Sequence, residues 1–247
     1  TQRHSVMSAA KSAIGMAEML AHEIKNPLAG STGAAQLLSM NLGTEDLELT
    51  DLIVAESRRI VKLLEQVEQF GNLSPPDLKP VNIHDVLARA RRSALLGFGA
   101  QMAIVEDYDP SLPLAYGDPD QLLQVVLNLL KNASEAAGDT GGTIRLHSYF
   151  EHSFRLRRAD GAGRSLPLQI EVIDDGPGLP DSIKGDIFDP FVSGKENGTG
   201  LGLALVSKII SDLEGWISVT SVPGRTIFRI SLPRAPRNLD LVNVGKE

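Results

Sequence analysis

Positions 20–28 read LAHEIKNPL and lie within a stretch of chain that has strong helical periodicity. At about 100° per residue, His22 falls roughly opposite Leu20 and Ile24 around such a helix. The pattern therefore predicts an amphipathic helix that buries its apolar stripe and turns His22 toward solvent. The stripe consists of Ala13, Met16, Ala17, Leu20, Ile24 and Leu28.

Three residues near His22 in this segment bear on its chemistry: Glu23, Asn26 and Pro27. A neutral imidazole is a competent nucleophile near neutral pH, and the adjacent Glu23 can take or orient its ring proton. Asn26 follows one turn later on the same outward face. Pro27 lacks a backbone donor and is expected to bend the helix just past His22. On these residues alone, an ordinary surface histidine beside an ordinary glutamate is the favoured interpretation.

A second amphipathic helix is predicted after a turn at positions 41–46. Two such helices make only a thin core, so we expect a helical hairpin at 1–73 that forms a four-helix bundle with a second chain. Three prolines within 74–80 cannot continue a helix, and we interpret that segment as a linker. The apolar residues of the second helix are Leu49, Leu52, Ile53, Ile60, Leu63, Leu64, Val67 and Phe70.

The segment 81–235 mixes both periodicities and predicts a second domain, with a frayed tail at 236–247. Its pattern is typical of an α+β sandwich, a sheet with helices on one face. Residues 157–165 are basic and non-periodic, which favours an exposed hairpin loop. The predicted helices are 83–96, 119–137 and 201–213, and the predicted strands are 103–108, 143–150, 168–174, 216–222 and 226–232.

Composition excludes several classes of protein. The 247 residues carry a net charge of -7 and contain no cysteine. An acidic balance argues against nucleic-acid binding and against a polybasic membrane-surface protein. The lack of cysteine excludes a disulfide framework and agrees with a reducing cytoplasm. No run is apolar over the roughly 18 residues that a membrane helix needs, so no membrane contact is expected from this stretch.

Asn128 and Asn132 lie four residues apart in the predicted helix 119–137, so their amides share one face. Two neutral oxygen donors side by side suit Mg²⁺, which prefers hard ligands, and the neighbouring Lys131 can meet a phosphate. A solvated face of an amphipathic helix is the equally weighted alternative.

Two glycine-rich segments follow later in the chain. Asp174, Gly176 and Gly178 come directly after an apolar strand, where a carboxylate can accept a hydrogen bond from an exocyclic amine and glycines admit a planar ring. A simple turn is the strong alternative for this string. The second segment precedes a helix and can offer amide donors to an anion, or it is a flexible loop; it comprises Gly198, Thr199, Gly200, Leu201 and Gly202.

Between these two segments lies the string FDPFVSGK at 188–195. Its aromatic residues anchor a polar, glycine-containing loop, and Phe188 and Lys195 mark its ends. This composition is typical of a mobile lid over a ligand.

Together these five strings resemble, in order and spacing, the H, N, G1, F and G2 boxes of sensor histidine kinases, over nearly the whole chain. The family implies a dimerising phosphotransfer hairpin followed by an ATP-binding domain of the Bergerat fold. It implies that His22 accepts the γ-phosphate of ATP, with Glu23 as acid–base neighbour and Asn26 as helper in dephosphorylation. It also implies that Asn128 and Asn132 bind Mg-ATP and that Asp174 holds adenine.

Within the family, residues 21–38 and the VSGK string resemble the nitrogen-regulation kinases. That subfamily acts on the receiver domain of an NtrC-type response regulator and is controlled by a PII signalling protein. Two alternatives stay open. One is another ATPase of the same fold group, although those carry a glutamate where this chain has Asn128, and an amide cannot act as a general base. The other is a dimeric scaffold with an inactive nucleotide site.

Overall fold

The computed structural model describes residues 2–71, 73–157, 163–194 and 198–236, with side chains from Leu20 onward except that of Glu45. The chain folds as two compact units, which divide after Ser74 into a helical unit and a larger mixed unit. The division agrees with the change in composition at the proline-rich segment. Among the described residues, no helix is both long enough and apolar enough to cross a membrane.

The helical unit is a hairpin of α1 (Gln2–Ser39) and α2 (Thr44–Gly71). Pro27 lies inside α1 and does not end it, so the expected irregularity beyond His22 does not interrupt the helix. The missing N–H of Pro27 leaves only the Glu23 carbonyl without its helical partner. Just beyond, the Ser31 and Thr32 hydroxyls donate to main-chain carbonyls one turn earlier, at 3.0 and 2.8 Å.

In the single chain, part of the apolar stripe of α1 is exposed, as expected for a face that a second chain covers in a four-helix bundle. Leu20 and Ile24 are 51% and 37% exposed, while the small residues Ala21 and Ala35 are 0% and 3% exposed. The reason is that α2 packs against a neighbouring stripe of α1, where small side chains let the two helices approach. Ala13, Met16 and Ala17 lie outside the described side chains.

The mixed unit is built on a five-stranded sheet in the order β2-β4-β7-β9-β8. β2 pairs with β4 in parallel, and the other neighbours are antiparallel. The strands are β2 (Ala103–Tyr108), β4 (Thr143–Phe150), β7 (Leu168–Asp174), β8 (Trp216–Val222) and β9 (Arg225–Leu232). These bounds match the predicted strands to within one residue.

Three helices supply the apolar layer against this sheet: α3 (Ile83–Leu95), α4 (Pro119–Ala137) and α5 (Gly202–Asp212). Each carries a buried stripe at helical spacing, which explains why periodicity located all three. The predicted α/β sandwich is therefore confirmed. The largest fully buried side chains include Leu87, Leu122, Leu129, Leu130, Ile144, Leu146, Ile170 and Ile209.

Two small strand pairs lie outside the main sheet. β1 (Lys79–Val81) pairs with β3 (Ala115–Gly117), so the predicted linker 74–80 is too long at its carboxyl end. Pro80 is compatible with such a pair because the sheet has only two strands and all its positions are edge positions. β5 (Arg155–Arg157) pairs with β6 (Gly163–Ser165) in antiparallel orientation, so both ends of the predicted hairpin loop 157–165 are strands. The middle of that loop, 158–162, lies outside the described residues.

The sheet face away from the helices carries a polar cluster around Glu171. Its carboxylate accepts a 2.7 Å hydrogen bond from Arg229 Nε and lies 3.0 Å from His147 Nδ1. Burial alone would raise the pKa of Glu171, but the bonds to His147 and Arg229 outweigh burial and lower it. The cluster ties three adjacent strands together.

Candidate functional site

His22 lies on the outer face of α1, and its side chain is 88% exposed. Glu23 and Asn26 are also exposed. All three residues that were predicted to act together on α1 are therefore accessible to solvent. An exposed ring is free to turn and can be reached by a reaction partner.

Next to His22 the structure places a residue that no motif indicated. Glu68 of α2 is 19% exposed, and its Oε1 lies 3.9 Å from His22 Nε2. Its Oε2 accepts a 2.6 Å hydrogen bond from Lys25 Nζ. Only the pairing of the two helices brings Glu68 to His22, because 46 positions separate them in the sequence.

In the mixed unit, the candidate nucleotide site begins at α4. Asp118 caps this helix by accepting from the main-chain N–H groups of Asp120 and Gln121, and Pro119 follows at the first helical position. Asn128 Nδ2 donates 3.0 Å to the Gln124 carbonyl. The amide orientation is thereby fixed, and Asn128 Oδ1 remains as the acceptor on this helix face.

Asn128 lies next to the second glycine-rich segment. A Cβ placed on Gly202 would be 3.4 Å from Asn128 Oδ1, so the first residue of α5 sits directly beside that amide. No side chain caps α5 at Leu201, which leaves its first-turn N–H groups available to an anion. Just before the helix, Leu201 N–H donates to Thr199 Oγ1 at 3.3 Å.

The first glycine-rich segment packs on the same helix. A Cβ on Gly176 would be 3.3 Å from the Cβ of Ala136 in α4. Asp174 is 5% exposed, and its Oδ1 accepts from Gly176 N–H at 3.0 Å. Burial raises the pKa of the Asp174 carboxyl, while the Gly176 N–H opposes the shift. Asp174 thus presents a partly desolvated acceptor, which favours a bond to an amine.

Position 178 accepts only glycine, for two reasons. Its φ is +87°, and a Cβ there would approach the Val222 carbonyl group to 3.1 Å. Asp175, by contrast, turns away from this segment: both of its carboxylate oxygens lie 3.0 Å from Thr143 N–H. Of the two neighbouring carboxylates, Asp174 is the one that bonds within the glycine-rich segment packed on α4, and it is therefore our candidate for the nucleotide site.

The structure also describes most of the other residues that were predicted for the site. Lys131 is exposed and Asn132 is half-buried, both on α4. Phe188 packs edge-on against Phe228 of β9, with ring centroids 6.2 Å apart. Gly198 is exposed and Gly200 has φ of +66°. Lys195 lies outside the described residues.

A cavity of about 370 Å³ opens at the ends of β4, β7 and β9. It shares only Asp174 with the residues predicted to bind nucleotide, and neither Asn128 nor Gly202 borders it. We therefore assign the candidate nucleotide site from the converging motif residues instead of from this cavity. Its lining residues are Thr143, Arg145, Ile173, Asp174, Asp175, Gly224 and Arg225.

Two protein families match the two units. Residues 14–76 match the His Kinase A (phospho-acceptor) domain, and residues 117–236 match the histidine kinase-, DNA gyrase B-, and HSP90-like ATPases. A helical hairpin with an exposed histidine, followed by this ATPase fold, defines the class of protein. The chain belongs to the sensor histidine kinases.

Within that family the chain is similar to proteins named sensory histidine kinase/phosphatase NtrB. It is 75% identical over 234 residues to NtrB of Rhodobacter capsulatus, covering 95% of this chain and 66% of that protein. It is 48% identical over 227 residues to NtrB of Azospirillum brasilense, covering 92% and 57%. The chain thus spans about three-fifths of the length of the curated relatives it matches.

Solved structures agree on the fold. Full-length ShkA in complex with AMPPNP superposes with a TM-score of 0.65 at 24% identity, covering 90% of this chain and 46% of that one. The mycobacterial sensor histidine kinase MprB gives a TM-score of 0.52 at 23% identity, covering 64% and 99%. At these identities the likeness establishes the architecture alone.

Proposed function

We propose that this chain is the catalytic core of a histidine kinase that transfers the γ-phosphate of ATP to His22. The observation that carries the proposal is the 88% exposed His22 on a phospho-acceptor hairpin, in the same chain as an ATPase fold. His22 is a nucleophile exposed to solvent, and position 128 carries an amide instead of a carboxylate that could activate water. Both features suit transfer of the phosphate to a side chain better than hydrolysis.

The chemistry follows from the residues present. A ring nitrogen of His22 attacks the γ-phosphorus, the bond to the β–γ bridging oxygen breaks, and ADP leaves with that electron pair. The ring proton passes to Glu23 or to water. Asp174 accepts a hydrogen bond from the exocyclic amine of adenine, and the first-turn N–H groups of α5 donate to the phosphates.

The donor set fits Mg²⁺. Asn128 Nδ2 donates a hydrogen bond to the Gln124 carbonyl, which fixes the amide and leaves Oδ1 open. Oδ1 is the atom through which an amide binds a cation. With Asn132 one turn later, it would hold a Mg²⁺ that neutralises phosphate charge. Among the described residues no cluster of three or more His, Cys, Asp or Glu competes for a cation.

Incubation of the chain with γ-labelled ATP and Mg²⁺ tests this function. We expect protein-bound label that is lost in acid and retained in alkali, as a phosphoramidate is. Release of inorganic phosphate without protein labelling would instead favour a hydrolysing ATPase of the same fold group. Absence of both products would favour a scaffold with an inactive site.

The phosphoryl group then passes to the receiver domain of a response regulator. The names of the NtrB relatives support a second activity as phosphatase. The resemblance of residues 21–38 to the nitrogen-regulation kinases implies an NtrC-type regulator and control by a PII signalling protein. Transfer of label from the phosphorylated chain to a purified NtrC-type receiver, faster than to an unrelated receiver, checks the choice of partner.

The hairpin should form a homodimer, because large apolar side chains of α1 and α2 remain exposed. Sedimentation at micromolar concentration should give a dimer, and Ile53→Glu should give a monomer. Leu96→Glu, at an 84% exposed position outside the hairpin, should remain dimeric. A monomeric parent would contradict the four-helix bundle. The exposed residues are Leu20, Ile24, Leu37, Leu38, Leu49, Leu52, Ile53, Ile60 and Leu63.

Asn26 should serve the phosphatase activity and not the kinase activity. Its amide lies one turn from His22 and can orient a water toward a phospho-aspartate, but it neither stores a proton nor carries charge. Asn26→Ala should keep autophosphorylation within about twofold and lose about tenfold or more of phosphatase activity. Gln36→Ala removes an exposed amide further along α1 and should change neither rate. Parallel losses in Asn26→Ala would show that the residue merely shapes the helix near Pro27.

A further inference from the structure

Glu68 carries a carboxylate oxygen whose exposure and bonding are unusual. Its Oε1 is buried, and no donor among the described residues makes a hydrogen bond to it. An acceptor left in this state costs free energy unless a partner reaches it. Oε2 of the same group is held by Lys25 at 2.6 Å, which fixes the orientation of the carboxylate.

The nearest ring donor to that oxygen belongs to the proposed acceptor. His22 Nε2 lies 3.9 Å from Glu68 Oε1, beyond hydrogen-bond length. Because the imidazole is 88% exposed, a turn about its side-chain bonds can shorten this distance by about 1 Å and satisfy Oε1. Lys25, on the same helix as His22, keeps Glu68 aimed at the ring.

The state of Nε2 decides whether the ring can react. A neutral imidazole carries one proton, and the nitrogen that bears it has no lone pair for attack. Nε2 is the nitrogen farther from the main chain, so it is the one accessible to a bulky phosphate. A carboxylate at Nε2 favours the proton there, whereas a proton on Nδ1, where Glu23 can receive it, leaves Nε2 nucleophilic.

We propose that Glu68 is a positioning residue that holds His22 in a resting form with Nε2 protonated and thereby slows phosphorylation. The inference rests on the proposed function and adds a restraint that is built into α2. The charged groups near the ring are Glu68 of α2, which lies 3.9 Å from Nε2, Lys25, which bonds to Glu68, and Glu23, the next residue of α1. The contact must open, or the proton must move to Nδ1, before His22 attacks.

Ring nitrogen NMR of ¹⁵N-histidine-labelled chain reads this state directly. At a pH where the imidazole is neutral, the His22 signals, assigned by their loss in His22→Gln, should show Nε2 protonated in the parent. Glu68→Gln keeps the shape and can still accept from Lys25, but its NH₂ can donate to Nε2. The fraction of His22 protonated on Nδ1 should therefore rise. Identical tautomer ratios in both chains would overturn the proposal.

Kinetics provide the second measurement. Glu68→Gln should raise kcat for autophosphorylation about fivefold and leave KM for ATP within about twofold, since a restraint on the nucleophile does not alter nucleotide binding. Glu65→Gln makes the same charge change on the exposed side of α2 and should alter neither constant. A fall or no change in kcat for Glu68→Gln would also overturn the proposal. If no chain is labelled at all, the proposed function fails, and the NMR comparison still decides the role of Glu68.

Discussion

A His22→Gln variant will incorporate no phosphate from ATP, while its affinity for nucleotide stays within about twofold of the parent. Glutamine has no nucleophilic ring nitrogen, and the side chain at this position is so exposed that the substitution removes no packing. The loss is therefore chemical and not structural. Labelling with γ-labelled ATP and a nucleotide titration on the same preparation measure both quantities.

The matched control is His152→Gln. His152 is also exposed, but it lies in the mixed unit and has no adjacent string of the acceptor type. Its variant should be labelled as fast as the parent. Label that persists in His22→Gln and disappears in His152→Gln would overturn the assignment of the acceptor.

An Asp174→Asn variant will bind ATP about 100-fold more weakly, the effect expected when a buried acceptor is replaced by a mismatched donor. Asp174 Oδ1 accepts from Gly176 N–H, and an asparagine oxygen can keep that bond and the local fold. The new NH₂ then takes the place of Oδ2. It would face the adenine amine, and two donors cannot bond to each other. Calorimetric titration with ATP measures the loss.

Asp175→Asn provides the control because its carboxylate lies against Thr143 N–H and not in the candidate site. It should bind ATP like the parent. Equal affinities for the parent and Asp174→Asn would place the adenine pocket elsewhere, and the cavity bordered by Arg145 and Arg225 would be the next candidate.

The pH dependence of binding follows from the same residue. Burial raises the pKa of Asp174, so its carboxylate takes up a proton at a higher pH than an exposed aspartate does. Protonation removes the acceptor, and the parent should therefore lose ATP affinity as the pH falls through that pKa. The Asp174→Asn variant should lack this component.

Local sequence determined most of the elements and the order of the motifs. The strands Ala103–Tyr108, Thr143–Phe150 and Leu168–Asp174 and the helix Pro119–Ala137 begin and end where predicted. Each has a periodic apolar face and flanking residues such as Asp118 and Gly138 that stop the pattern. Such signals act over a few residues and can be read without knowledge of the fold.

Tertiary structure decided which of these pieces meet. The short pair Lys79–Val81 and Ala115–Gly117 carries too few residues for a periodic signal and exists only because distant segments pair. Sheet order, including the parallel pairing of β2 with β4, is likewise set by long-range hydrogen bonds. The side of α1 that α2 covers depended on how closely small residues let the helices approach.

The same division holds for the candidate site. The sequence indicated His22, Asn128 and Asp174 through the order and spacing of five strings that resemble the boxes of sensor histidine kinases, although each string alone allowed an ordinary structural interpretation. Only the fold placed Asn128 Oδ1 beside Gly202, turned Asp175 away toward Thr143, and brought Glu68 to within 3.9 Å of His22. The physical reason is that a helix or turn is specified by bonds among near neighbours. The contacts of a side chain with distant residues depend instead on the packing of whole elements, to which every residue of the core contributes.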